Sequence, residues 1–121
     1  MLPKERDPAY LWDMLEVAKE AVSMLENYDL SAFVADRVML RATERNVELI
    51  GEAARRVSIR YQNAHPNVPW RDIIGQRNIL AHEYGQIDHE LLFNTVVEDI
   101  PALITQLQTL LPPLPDNEQG E

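Results

Sequence analysis

The sequence predicts an all-α protein, an antiparallel bundle of four to five helices. Three observations carry that reading. Apolar residues recur at alternating intervals of three and four over long stretches, the period of one helix face. No run alternates apolar and polar residues between turn signals, as a half-buried strand would require. Only four glycines occur, Gly51, Gly75, Gly85 and Gly120. The 121 residues suffice for one domain. That domain is expected over 1–111. A Pro-rich acidic tail over 112–121 has too little apolar content to bury a core.

The first helix is expected to begin near Asp7 and Pro8. An Asp can accept from the first-turn amides, and Pro at the first helical position sacrifices no hydrogen bond. Leu11, Leu15, Ala18, Val22 and Leu25 form its stripe, widened by Met14 and Ala21. The polar stretch Asn27, Tyr28 and Asp29 should stop it. A second helical region spans about 31–57, with Leu40, Thr43, Val47, Ile50, Ala54 and Val57 as its apolar side. Ala32, Phe33 and Val34 do not continue that stripe, so a bend is expected near Asp36. Gly51 lies inside this helix at a cost of roughly 1 kcal/mol relative to Ala, which calls for a packing reason such as the close approach of another helix. Residues 61–70, containing Pro66 and Pro69, read as a loop. A third helical region covers about 70–84, interrupted at Gly75 and ended by Gly85. Asp88 is placed to cap a last helix reaching about Leu111, with Leu92, Val96, Leu103, Leu107 and Leu110 inward. Pro101 should kink it. Trp12 and Trp70 are expected to pack in the bundle. Wide apolar stripes on so small a chain favour a symmetric dimer.

Composition narrows the chemistry. The chain contains no cysteine, which excludes disulfides, thiolate metal sites and cysteine nucleophiles. It lacks the apolar run of about 18 residues that a transmembrane helix needs. No apolar stretch follows the N-terminal charges as in a secretory signal. The expected compartment is the cytoplasm. The net charge is −9, which argues against a protein that coats nucleic acid through a basic surface. The charge is unevenly distributed, however. Residues 1–36 carry three basic and eight acidic groups, residues 78–121 none and eight, and residues 37–77 eight arginines against four acids. Local RNA binding by the arginine-rich stretch remains open.

The informative string is RNILAHEYG, residues 77–85. Arg77 is a permanent cation whose planar fork suits a phosphate. His82 can exchange protons near neutral pH. Asn78 places a neutral polar group beside them, and Tyr84 offers a phenol. Arg and His form a minimal kit for cutting RNA, because the ribose 2′-hydroxyl supplies the nucleophile. At about 100° per residue, Arg77 and His82 are roughly 140° apart around an ideal helix, whereas Arg77 and Tyr84 are within about 20°. Either the helix is irregular near Gly75 and Gly85, or a second copy of the chain completes the site. Upstream, Arg37, Arg41 and Arg45 form either a solvated face paired with Glu48 and Glu52 or an RNA-facing or dimer-facing wall of a cleft. Glu48 and Glu52 are spaced to pair with Arg45 and with Arg55 or Arg56. His65 and His89 have no metal-ligand spacing with His82, so no metal site is expected.

RNILAHEY fits an Arg-x4-His-x-Tyr motif. With AFVADR, NVELIGEAARR, HPNVPWRDIIGQRNILAHEYGQID and VVEDIPAL in order, the chain resembles the HepT-like toxins of the HEPN helical superfamily over roughly residues 7–111. The resemblance implies a homodimeric, metal-independent endoribonuclease without a cofactor, its cleft at the dimer interface. It places Arg77 and His82 at the catalytic positions and Asn78 at a supporting one. It matches Tyr84 to the tyrosine that a partner nucleotidyltransferase antitoxin adenylylates with ATP. The contrasting reading is a helical interaction module that binds such a nucleotidyltransferase or a nucleotide without cutting RNA. A nuclease assay separates the two.

Overall fold

The structure is a computed structural model. It describes residues 3–82 and 88–111, with side chains described at 6–77 and 88–111. The elements in order are α1 (Pro3–Met24), α2 (Leu30–Ala35), α3 (Arg37–Arg56), α4 (Ile59–Ala64), α5 (Trp70–His82), α6 (His89–Asn94), a π-helical turn (Thr95–Asp99) and α7 (Ile100–Leu110). No strand occurs among the described residues. The all-α expectation holds, with four of the α-helices, α1, α3, α5 and α7, longer than two turns. No described helix is long and apolar enough to cross a membrane.

α3 occupies the centre, packed by α1 on one side and α5 on the other, while α7 closes against α1. The core follows the expected stripes. Leu11, Met14, Leu15, Ala18, Ala21 and Leu25 of α1 and its following turn are buried. They meet Leu40, Val47, Ile50, Ala54 and Val57 from the α3 side and Val96, Leu103 and Leu107 from the α7 side. Phe33 of α2 is fully buried and lies 5.3 Å, centroid to centroid, from Phe93 of α6. That contact explains why Phe33 falls outside the α3 stripe. Trp70 is buried and donates its indole N–H to the His65 carbonyl at 3.0 Å, while Trp12 packs at the core's edge.

Four boundaries differ from the sequence reading. The first helix starts at Pro3 and carries Pro8 inside it. Asp7 is therefore no local cap. It is buried, and its two oxygens accept from the Ser58 N–H at 2.9 Å and the Ser58 hydroxyl at 2.7 Å. The expected bend is a complete break. Asp36 separates α2 from α3, caps α3 by accepting from the Met39 N–H at 3.0 Å, and accepts from the Tyr28 hydroxyl at 2.6 Å. That bond holds the Asp36 carboxyl below, and the Tyr28 phenol above, their ordinary ranges. The loop over 61–70 is shorter than expected, because Ser58 caps the extra helix α4 by accepting from the Tyr61 N–H. Gly75 interrupts nothing, since α5 is helical from Trp70 to His82. A Cβ there would meet nothing within 4 Å, so packing does not require glycine at this position.

Asp88 does cap α6, accepting from the Leu91 N–H at 3.0 Å. Pro101 acts differently from the expected kink. It lies in the first turn of α7, where its missing N–H costs little. The π turn ahead of it has the Ile100 N–H reaching five residues back to the Thr95 carbonyl. One wide turn absorbs the proline, as π-bulges commonly do. Gly85 and the tail over 112–121 lie outside the described residues.

Candidate active site

Two residues of α3 set the position of Arg77. A Cβ built on Gly51 would collide with the Arg77 Cβ and would lie 2.9 Å from the Ile73 carbonyl oxygen. Only glycine lets α5 approach this closely, which is the packing reason the sequence called for. The next residue, Glu52, then meets the arginine it admits. Its Oε1 lies 3.1 Å from Arg77 Nη2.

Glu52 also holds two neighbours on its own helix. Its Oε2 accepts from Arg55 Nη2 at 2.9 Å and from Arg56 Nε at 3.1 Å. Among the described residues, three guanidinium groups thus contact this one carboxylate. The Arg55 hydrogen bond does most to hold the Glu52 carboxyl below the usual glutamate range. Partial desolvation opposes it, while Arg56 and the charge of Arg77 add to it. Arg55 and Arg56 are half exposed, whereas Arg77 retains 22% of its side-chain exposure and Glu52 26%. The Arg77 pair is thus shielded from solvent more than a fully exposed ion pair, and screened less.

The expected partners of Glu48 and Glu52 are present: Arg45 reaches Glu48 at 3.3 Å, and Arg55 and Arg56 reach Glu52. The contact from Glu52 to Arg77 was not read from the sequence. The only hint of it was the adjacency of Gly51, which needs a close helix, to an acid. Arg41 pairs with Glu44 at 3.2 Å. Arg41 and Arg45 are thus matched one to one with acids on their own helix, a nearly neutral face. Arg37 is exposed and lines a depression of about 260 Å³ with Arg41 and His89. Neither arrangement joins these arginines to Arg77.

His82 belongs to α5, five residues beyond Arg77 on an uninterrupted helix. Asn78 is on the same helix. The side chains of Asn78 and His82, and all of Tyr84, lie outside the described residues. A groove of about 390 Å³ runs between α5 and α7, with Ile73, Ile100 and Leu103 in its lining and the acids Asp72, Glu98 and Asp99 among its polar groups. Those carboxylates repel phosphate, so the positive side of α5 is the one at Arg77.

These features define a helical protein in which Arg55, Arg56 and Arg77 gather at a closely packed helix pair, an arrangement suited to phosphate. The chain belongs to the HepT-like ribonuclease family, whose model, described as "Ribonuclease HepT-like", matches residues 14–110. It is similar to "Putative RNase MJ1380" of Methanocaldococcus jannaschii, 36% identical over 100 residues, 83% of this chain and 92% of that one. It also resembles "Probable ribonuclease HepT" of Thermococcus cleftensis, 33% identical over 102 residues, 81% of this chain and 93% of that one. A third relative is "Putative RNase TTE0752" of Caldanaerobacter subterraneus subsp. tengcongensis, 31% identical over 102 residues, 84% of this chain and 91% of that one. No solved structure matches significantly. The family makes the protein an enzyme, a ribonuclease.

Proposed function

We propose that the protein is the toxin of a toxin–antitoxin pair, a metal-independent endoribonuclease working as a homodimer. The observation that carries this reading is the placement of Arg77. Gly51 lets its helix in, Glu52 lies 3.1 Å from its guanidinium, and Arg55 and Arg56 gather on the same carboxylate.

In this mechanism Arg77 binds the scissile phosphate and neutralises charge as it builds on the phosphoryl oxygens. His82 moves protons as general acid or base. The 2′-oxygen bonds to phosphorus as its proton leaves. The bond from phosphorus to the 5′-oxygen breaks, and that oxygen takes a proton. The products are a 2′,3′-cyclic phosphate and a free 5′-hydroxyl. Asn78 supports the arginine. The unbroken α5 helix supports a site shared by two copies, because roughly 140° of helix rotation separates residues 77 and 82 within one copy.

Neutralisation is assigned to Tyr84. A partner nucleotidyltransferase directs the phenol oxygen to the α-phosphorus of ATP, releasing pyrophosphate. The attached adenylate adds negative charge and bulk two residues along the chain from His82, repelling RNA.

RNA cleavage in EDTA by the unmodified protein, against Arg77→Ala and His82→Ala, tests the reading. Each variant should lose at least about a hundredfold in rate, the usual scale for a phosphate clamp or an acid–base group. Cleavage by all three at one rate, or none by the wild type, refutes it. Mass spectrometry after incubation with the partner and ATP should add AMP to the wild type and not to Tyr84→Phe.

A further inference from the structure

We infer that Arg6, Tyr10, Arg55 and Arg56 form a second RNA subsite, which holds a nucleotide of the single strand next to the one being cut. The inference rests on the ribonuclease reading of Arg77 and extends it to a surface that the catalytic motif does not include.

The N-terminal part of α1 crosses the last turn of α3 beside the Glu52 cluster. Between them lies an open groove of about 400 Å³ lined by Arg6, Tyr10, Arg55, Arg56 and Ser58. Arg6 is exposed, and Arg55 and Arg56 are half exposed, so their cationic ends reach solvent. Tyr10 is half buried against the core, which holds its ring as a fixed wall. Arginines beside an aromatic face are what single-stranded nucleic acid binds: the cations track phosphates and the ring stacks on any base. The nearby acids do not spoil the site: Glu52 is one carboxylate shared by Arg55 and Arg56, with Arg6 as a further cation in the groove. Asp7 is buried beneath Ser58, with both oxygens accepting hydrogen bonds from it.

Two further observations orient the strand. Arg55, Arg56 and Arg77 all contact the one Glu52 carboxylate. Two of the groove's three cations, Arg55 and Arg56, are therefore one side chain away from the proposed scissile-phosphate clamp. On the other side, Tyr10 and Arg56 are shared with a neighbouring groove of about 670 Å³ that contains Asp13, Glu16 and Glu20. Those carboxylates repel a phosphate backbone. The ridge of Tyr10 and Arg56 divides a basic groove from an acidic one, and the strand follows the basic side. Glu52, then Tyr10, also keep Arg56 firmly protonated.

The test is binding of a short fluorescent 2′-O-methyl RNA, which lacks the nucleophile, across a salt series, with cleavage of the matching RNA measured in parallel. Arg6→Gln and Arg55→Gln should each weaken binding about fivefold at low salt and reduce the salt slope by about one. Tyr10→Leu should weaken it about tenfold with little change in slope. In cleavage, Arg6→Gln should raise KM and leave kcat nearly unchanged. Arg71→Gln removes the same charge from an exposed position of α5 outside the groove and should bind like the wild type. Wild-type affinity and slope in Arg6→Gln and Arg55→Gln would overturn the subsite while leaving the nuclease intact. An equal loss in Arg71→Gln would overturn it too, by making the effect one of net charge. Groove variants that lose binding in a protein that never cuts RNA would refute the ribonuclease reading and uphold the subsite.

Discussion

Gly51 and Glu52 act as a pair, one by lacking a side chain and the other by supplying one. Gly51→Ala brings opposed effects. A helix gains about 1 kcal/mol from alanine over glycine. A Cβ here collides with Arg77 and the Ile73 carbonyl, and overpacking of this kind costs about 1–3 kcal/mol. The collision should win because backbone cannot step aside as a flexible side chain can. The melting temperature should fall by several degrees, with cleavage falling further as Arg77 shifts. A rise would show that the helices separate without cost. Glu52→Gln tests the other half. It should lower kcat about tenfold by loosening Arg77, without raising KM, since the site becomes more positive. Its stability effect depends on pH. The Glu52 carboxyl is held below its ordinary range, chiefly by Arg55. Its contribution is complete above the ordinary glutamate pKa and is lost as pH falls through the lowered value. In urea melts from neutral to acid pH, the gap between wild type and Glu52→Gln should narrow toward acid. A constant gap would contradict the ion-pair account.

At the scale of elements, short polar links decide where helices start and stop. Asp36 ends α2 and begins α3 within one residue. Asp7 links α1 to the start of α4 through Ser58, whose hydroxyl in turn accepts from the Tyr61 N–H. Asp7→Ala leaves a sheltered N–H and hydroxyl without their acceptor, a loss of about 1–3 kcal/mol. α4 has no buried residue of its own, so the damage should concentrate there. Hydrogen exchange should show faster exchange across 58–64 than in the wild type, with α3 much less affected. Uniform exchange changes would place Asp7 in the global core instead. The proline of the last helix follows the same logic. Pro101 is tolerated because the π turn at Thr95–Asp99 moves it to the start of α7.

For the molecule as a whole, the proposed mechanism requires Arg77 and His82 to act together from one regular helix. If each active centre takes its arginine from one copy and its histidine from the other, two inactive variants should rescue one another. Arg77→Ala mixed with His82→Ala, after subunit exchange, should recover about a quarter of wild-type cleavage, since half the dimers are mixed and each holds one intact centre of two. No recovery, with exchange verified, would place both residues in one copy's centre. The charge distribution also belongs to this scale. The arginine excess of residues 37–77 is not spread along α3. Arg41 and Arg45 are neutralised by Glu44 and Glu48, while Arg37 stands exposed at the first turn and Arg55 and Arg56 share Glu52 with Arg77 at the last.

Sequence alone determined the helical class, the stripes that became the core, the cap at Asp88 and the need for a close helix at Gly51. Each depends on residues a few positions apart, where period and local hydrogen bonding control the outcome. It also displayed the Arg77 and His82 string. Tertiary structure alone decided which residues meet across the chain. Asp7 resembled a local cap and serves Ser58, fifty-one residues away. Glu52 resembled an acid paired on its own helix and also holds Arg77. Such partners are chosen by how helices pack, and packing is a property of faces brought together in three dimensions, which no spacing along the chain encodes.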